Sequence, residues 1–345
     1  MASPDFLIAG AGIIGLSLAL ELDRRGASVT VLESGEAMRQ TSAAAAGMLA
    51  VYDPANPSAL YPLAQLSASL YPEFLARINE LSHHAVHFQT QATLQSCAQD
   101  QAIANPRNIV PQLSAHTPPF RLLDERSIDP RALGAALRTA VVASRIVLLE
   151  HTPLERLTLT PNAVSVQSSA AKFEAATLID CMGAWSPAPV SPRKGQMLAV
   201  NTPDGFQLDT VVRTEDVYIV PRTSGLDRGR VIIGATIEDA GFDLSVHPRD
   251  ILELNARAIA LVPSLAQATF ADSWAGLRPA TSDGLPILGA TSAQPRYVLA
   301  TGHFRNGILL APATAVLLAE LLLDGAASLD LSPFSPARFG AGVSI

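Results

Sequence analysis

Apolar and polar positions change period twice between residues 5 and 33. "DFLIAG" is a short unbroken apolar run ending in glycine, which predicts a strand buried on both faces. "IIGLSLALELDRRG" then places apolar residues at helical spacing, with basic residues in its last turn and Gly26 as its stop. "SVTVLE" returns to a β-branched strand that closes on Glu33. The three together predict a βαβ unit.

Beyond Glu33 the periodicity fades into a small-residue arm, "SGEAMRQTSAAAAGMLAVYDPANP". A helical pattern returns in "SALYPLAQLSASLYPEFLARINELS", interrupted at Pro62 and Pro72. "VHFQTQATLQSC" alternates like a strand, and Asp129-Pro130 predicts the start of a helix through "RALGAALRTAVVAS". "RIVLLE", "LERLTLT" and "ATLIDCMG" read as strands, as do "KGQMLAV", "VYIVPR" and "RVIIGAT". A helix follows at about 248 to 261, then strands in "SWAGLRP" and "YVLATG", then a last, very apolar helix from Gly307. No repeat or long linker breaks the chain, and "SPAPVSP", residues 186 to 192, is the expected crossover between lobes.

A chain of 345 residues is long enough for two domains or two interleaved lobes. With 48% hydrophobic and 16% charged residues it is not generally disordered. A net charge of −7 offers no basic field for nucleic acid or an anionic membrane, so a small molecule is the expected partner. Cys97 and Cys181 cannot build a disulfide framework, which fits a cytoplasmic location. The first apolar run lacks a basic flank and is broken by glycines, so no signal peptide is expected. Residues 307 to 325 contain Pro312, Thr314 and Glu320, which favours a buried core helix over a membrane span. His83, His84 and His87 follow a helix end without matching carboxylates or cysteines, so they read as a solvated turn and no metal is expected.

"GAGIIG" sets Gly10, Gly12 and Gly15 in the G-x-G-x-x-G pattern between a strand and a helix. Gly10 permits the tight turn, Gly12 lets backbone approach a pyrophosphate, and Gly15 lets helix and strand pack closely. The pyrophosphate would sit on the helix N-terminus, where unpaired N–H groups and the dipole favour an anion. Glu33 stands some 20 residues on, where an acid accepts hydrogen bonds from ribose hydroxyls. The glycines alone leave FAD and NAD both open.

The arm decides between them. A nicotinamide enzyme would continue with alternating strands and helices, whereas "RQTSAAAAGML" lets backbone lie close along an extended ligand. With this arm, "GAWS", "KGQ", "YIVPR", "GAT", "WAGLRP", "DGLPILG" and "GHFRNGILLAPAT" span nearly the whole chain. In these stretches the chain resembles the D-amino-acid-oxidase-like flavoenzymes, and within them the bacterial branch that oxidises glycine for thiamine synthesis.

The resemblance implies an α/β, overall α+β, architecture. A Rossmann-like FAD lobe (1–54, 125–190 and 272–345) would interleave with a substrate lobe (55–124 and 191–271) on a mixed, largely antiparallel sheet. It implies non-covalent FAD held at Gly10, Gly12, Ile13, Ile14 and Gly15, at Glu33 and Ser34, and along Thr41, Ser42, Ala46, Gly47 and Met48. Leu154, Arg278, and the run His303, Phe304, Arg305, Asn306, Gly307, Ile308 and Leu309 complete that set. A homo-oligomer, often a tetramer, and a functional link to thiazole synthase are further implications.

An amino-acid oxidase must hold a carboxylate and present a Cα–H to flavin N5. Arg278 is the expected clamp, because a guanidinium matches a carboxylate bidentately; an arginine paired with a core acid is the structural alternative. Tyr218 would add a hydroxyl, Arg305 would support the site, and Met48 would limit substrate size, each with ordinary packing as its alternative. His303 is better placed for hydrogen bonding than for general base catalysis, since hydride loss from a neutral amine needs no protein base. The expected reaction gives an imine, then a 2-oxo acid and ammonia, with dioxygen reduced to hydrogen peroxide. The rival readings are an amine dehydrogenase or oxidase for sarcosine, a D-amino acid or proline passing electrons to a carrier, the flavin half of a tRNA-modifying protein, and a flavin binder without catalysis.

Overall fold

The structure is a computed structural model that describes residues 3–160, 163–168, 171–291 and 293–340. The βαβ unit forms as the pattern predicts, as strand Phe6–Ala9, helix Ile13–Arg24 and strand Val29–Leu32. Both strands are buried along their whole length, because parallel neighbours flank them, helices cover one face, and the three-stranded sheet Arg156–Leu159, Val164–Gln167 and Lys172–Ala175 covers the other. The sheet runs, edge to edge, Ile287–Thr291, Gln294–Thr301, Thr177–Asp180, Phe6–Ala9, Val29–Leu32 and Val147–Leu149. All its pairings are parallel except the first, a hairpin-like edge.

A second, seven-stranded sheet is antiparallel apart from one pairing. Its order is Thr269–Ala280, Ser191–Asn201, Arg230–Gly234, Tyr218–Pro221, Val211–Arg213, Thr93–Ser96 and Phe120–Leu123. Helix Pro248–Leu261 covers one face, setting Ile251, Leu254 and Ala258 against Leu198, Val231 and Ile233. The other face turns toward the first lobe and carries Ala199, Val211, Val220 and Ile232 beside Ala46 and Met48.

The lobes divide differently from the ranges drawn on the sequence. Helix Tyr61–Ser82, expected in the second lobe, packs Leu63, Tyr71, Leu75 and Ile78 into the core of the first. Its apolar stripe finds its partner in the helix Gly307–Asp324 rather than in the sheet that follows it in sequence. Strand Thr269–Ala280, whose last nine residues were assigned to the first lobe, pairs along Ser191–Asn201 as the edge of the second sheet. Nor does proline interrupt the helix at 61–82: Pro62 sits in its first turn and Pro72 is accommodated inside it.

Gly307–Asp324 has the length and hydropathy of a membrane span. In the fold it lies against helices Ile13–Arg24 and Tyr61–Ser82, with Ile308 to Ala315 buried. Pro312 deprives the Ile308 carbonyl of its helical partner, and the Tyr71 hydroxyl donates to that oxygen at 2.5 Å. The next amide, Ala313 N–H, donates to Ser67 Oγ at 3.1 Å. The break that Pro312 makes in the helix ladder is therefore covered by a side chain of the neighbouring helix.

Candidate active site

A cavity of about 740 Å³ opens between the two lobes and takes its walls from both. At one end stands the glycine turn. Gly10 has φ +102°, and a Cβ there would lie 2.5 Å from the Cys181 carbonyl oxygen, so only glycine fits the turn. A Cβ on Gly15 would meet the Gly10 oxygen at 2.0 Å, which is the close helix–strand contact its spacing implies. Gly12 differs: only Ser42 Oγ, at 3.3 Å, lies near its would-be Cβ, and the remaining space belongs to the cavity. No side chain caps the helix at Gly12, although Ile13 N–H donates to Ser42 Oγ at 3.0 Å. Backbone donors at a helix start facing free volume form an anion seat.

Glu33 is fixed beside that seat. Its Oε2 accepts the Ala11 N–H at 2.8 Å, and its Oε1 accepts the Gly35 N–H at 2.9 Å and the Ser34 hydroxyl at 3.1 Å. Oε1 thus has both lone pairs engaged, while Oε2 keeps one for a ribose hydroxyl. The arm from Gln40 to Met48 continues the wall, tied down by Thr41 Oγ1 donating to the Leu277 carbonyl at 2.7 Å. Trp274 Nε1 donates to the Ala44 carbonyl at 3.0 Å, and the buried Arg222 donates to the Ala46 carbonyl at 2.9 Å. Small side chains thus leave the arm's backbone available to both the sheet and the cavity.

At the other end, the inner face of the second sheet presents one continuous cross-strand row. Gln95 pairs with Arg213, Arg213 with Tyr218, Tyr218 with Gly234, Gly234 with Met197, and Met197 with Trp274. Partners at one register share a face, and every member of the row except Trp274 lines the cavity. Gly276 and Arg278 extend that face along the strand from Trp274 at two-residue steps.

Two glycines make room for Arg278 and Tyr218. A Cβ on Gly195 would lie 2.3 Å from Arg278 Nη1, and one on Gly234 would lie 2.4 Å from the Tyr218 hydroxyl. Arg278 Nη1 donates to the Thr236 carbonyl at 3.1 Å, and the Arg278 guanidinium contacts the Tyr218 hydroxyl. Burial pushes the Tyr218 phenol up, and the nearby Arg278 charge opposes the shift only partly, so Tyr218 remains a donor. Burial lowers the Arg278 guanidinium. Its half-buried neighbour is a phenol, not a core acid, so the cationic arginine is left to pair with a ligand.

The turn before the last helix closes the cavity. His303 is buried, its Nε2 lies 3.2 Å from Thr314 Oγ1, and burial lowers its pKa to about 3. The imidazole is neutral and weakly basic. The helix starts at Gly307 with no side-chain cap, and Gly307 and Ile308 line the cavity. Arg305 does not reach into the cavity alone: its Nη2 pairs with Asp53 Oδ1 at 3.2 Å, and Asn306 Nδ2 donates to Asn56 Oδ1 at 3.0 Å. Met48 lines the wall and bridges to Ser127.

The structure therefore gathers the predicted Gly10, Gly12, Ile13, Ile14, Glu33, Ser34, Thr41, Ser42, Ala46, Gly47, Met48, Tyr218, Arg278 and His303 to Ile308 around one cavity. Gly15, Leu154 and Leu309 fall outside it, Gly15 because it packs against the Gly10 carbonyl oxygen. Leu154 packs against the core with Leu7 and Leu32 and borders a smaller hollow, which shares Met182 and Trp185 as wall residues with the main cavity. Leu309 turns into the helical core, because consecutive helix residues face about 100° apart. Gly195, Gly234, Arg213 and Asp53 were not identified from sequence as site residues. The signal for the two glycines was present in "KGQ" and "GAT", but nothing in either string says that an arginine or tyrosine lies against it.

The model of the DAO family of FAD-dependent oxidoreductases matches residues 5–321. The chain is 34% identical to the bifunctional protein ThiO/ThiG of Trichormus variabilis over 97% of its own length. It spans 55% of that relative. It is 30% identical to the glycine oxidase of Geobacillus kaustophilus, covering 97% of both chains. The crystal structure of glycine oxidase from Geobacillus kaustophilus superposes with a TM-score of 0.91 at 28% identity, covering 98% of this chain and 99% of that one. With the nucleotide turn, the uncapped helix starts and the guarded arginine in a single cavity, the chain belongs to the DAO family of FAD-dependent oxidoreductases.

Proposed function

We propose that the protein oxidises a small amino acid, glycine in the first place, to its imine, which water converts to a 2-oxo acid and ammonia while dioxygen becomes hydrogen peroxide. The observation that carries this reading is the Arg278–Tyr218 pair, partly buried in the same cavity as the dinucleotide turn and given its space by Gly195 and Gly234.

Gly12, Glu33, Ser42 and the arm to Met48 would hold the FAD. Bound FAD supplies a two-electron acceptor for the substrate's C–N bond. Arg278 pairs with the carboxylate, and Tyr218 adds a neutral hydrogen bond to it. Holding the carboxylate at one point fixes the Cα–H direction and removes rotational freedom before reaction. His303, neutral and hydrogen-bonded to Thr314, takes no proton; the amine enters uncharged and its own lone pair expels the hydride. Met48 and Ile237 stand where the cavity wall limits side-chain size.

The thiamine link follows from relatives whose names join ThiO to ThiG: the imine would feed thiazole formation by a partner enzyme. Two free cysteines suit a reducing cytoplasm, and a homo-oligomer is the expected assembly. The decisive experiment is anaerobic bleaching of the bound flavin by glycine, sarcosine, D-alanine and D-proline, followed by mixing with air-saturated buffer. Fast bleaching by glycine and fast reoxidation are expected. Bleaching by proline alone would remove glycine as the substrate, and reoxidation too slow for turnover would assign the protein to the dehydrogenases.

A further inference from the structure

The triplet Lys194-Gly195-Gln196 faces two ways. Gly195 stands on the cavity side against Arg278, while Lys194 and Gln196 point to the opposite face, where each is 0% exposed. There they grip the stretch that follows Gly234. Lys194 Nζ donates to Asp243 Oδ2 at 2.9 Å and lies 3.6 Å from Glu238 Oε2. Gln196 Nε2 donates to Glu238 Oε1 at 2.8 Å and Asp250 Oδ2 at 2.6 Å, and its Oε1 accepts the His247 N–H at 2.6 Å. Backbone bonds join the same pieces: Lys194 N–H to the Glu238 carbonyl at 3.0 Å, and Glu238 N–H to the Lys194 carbonyl at 2.9 Å.

This clamp ends on the reacting arginine. Arg278 Nη1 donates to the carbonyls of Thr236, at 3.1 Å, and Lys194, at 3.4 Å. One oxygen belongs to each of the two segments that the clamp joins. Moving 236–243 away from the strand would separate the two oxygens and release the guanidinium from its backing. A buried ammonium with carboxylate partners contributes little net stability over apolar side chains of the same volume, so its use here calls for a role in geometry.

We propose that Lys194 and Gln196 are positioning residues for Arg278, acting from the far side of the sheet through the 236–250 stretch. They never touch substrate. Their contribution is to hold two carbonyl oxygens at a fixed separation, so that the outer edge of the guanidinium meets a carboxylate without first being ordered. This role rests on Arg278 being the carboxylate clamp.

The test uses the FAD-loaded enzyme, with acetate as the carboxylate probe read by perturbation of the flavin spectrum, and glycine turnover alongside. Lys194→Met and Glu238→Gln are each combined with Arg278→Lys, which keeps a cation and so a measurable acetate affinity. For Lys194→Met, acetate Kd and glycine KM are expected to rise together by about tenfold, with kcat within about threefold and flavin content unchanged. In the Arg278→Lys background the same change is expected to add less than about twofold, since the two residues act through one interaction. If Lys194→Met fails to load FAD, Glu238→Gln at the partly exposed partner carries the same comparison. Unaltered acetate binding, or an equal weakening in both backgrounds, overturns the positioning role. Arg278→Lys leaving acetate binding intact would instead overturn the clamp beneath it.

Discussion

The two ends of the cavity are built by different rules. The nucleotide end comes from consecutive residues: strand Phe6–Ala9, the turn at Gly10 and Gly12, helix Ile13–Arg24 and the strand leading to Glu33. The substrate end comes from a cross-strand row drawn from Gln95, Arg213, Tyr218, Gly234, Met197 and Trp274, which lie far apart in the chain. Glycine serves both ends, with opposite purposes. Gly12 leaves space for a ligand, whereas Gly195 and Gly234 leave space for the protein's own arginine and tyrosine. A glycine in a site is thus not by itself evidence of ligand contact; what fills the missing Cβ decides.

Breaking the substrate end directly gives the largest expected effect. Arg278→Ala should lower kcat/KM for glycine by roughly 10²–10³-fold while FAD remains bound, as steady-state kinetics and flavin absorbance will show. Unchanged glycine kinetics in that variant would remove the clamp. The two kinds of glycine then separate the ends. Gly195→Ala should raise glycine KM by about 5–100-fold through displacement of Arg278, with FAD retained, because overpacking costs roughly 1–3 kcal/mol. Gly12→Val should instead weaken FAD by a similar factor, measured by flavin release on dilution, with the apoprotein still folded. The same outcome for both variants would erase the distinction.

His303 sharpens the comparison at lower cost. Its folded pKa of about 3 lies below the ordinary value of 6.5, so the unfolded chain binds the extra proton between those values. Its contribution is complete above about pH 6.5 and is lost as pH falls toward 3, at up to about 1.4 kcal/mol per pH unit. In His303→Asn that part of the acid loss should disappear from urea midpoints measured across pH 4 to 7. The same shift predicts no His303 ionisation in the kcat profile near neutrality. The smallest effect is expected at Tyr71→Phe, which leaves the Ile308 carbonyl without a partner. About 1–3 kcal/mol of stability should be lost, seen in urea unfolding, with glycine KM unchanged.

How much of this was legible depended on how far apart the cooperating residues lie. The βαβ unit, the helix start at Asp129-Pro130 and the glycine fingerprint were readable because their reasons are local: period, capping and turn chemistry. The lobe boundaries were not. Helix Tyr61–Ser82 shows an apolar stripe, but a stripe does not name the surface it will meet. Leu154 and Leu309 illustrate the same limit at single residues, since neighbours of a site in sequence can turn into the core.

By itself the sequence determined the alternation of elements, the nucleotide turn and the kind of side chain available to hold a carboxylate, because each follows from residue type and spacing. Only the tertiary structure decided that Gly195 yields its place to Arg278, that Asp53 pairs with Arg305, and that Lys194 and Gln196 brace the site from behind. Those relations exist only once strands distant along the chain share a register, and register is set by the packing of two whole sheet faces rather than by any local string.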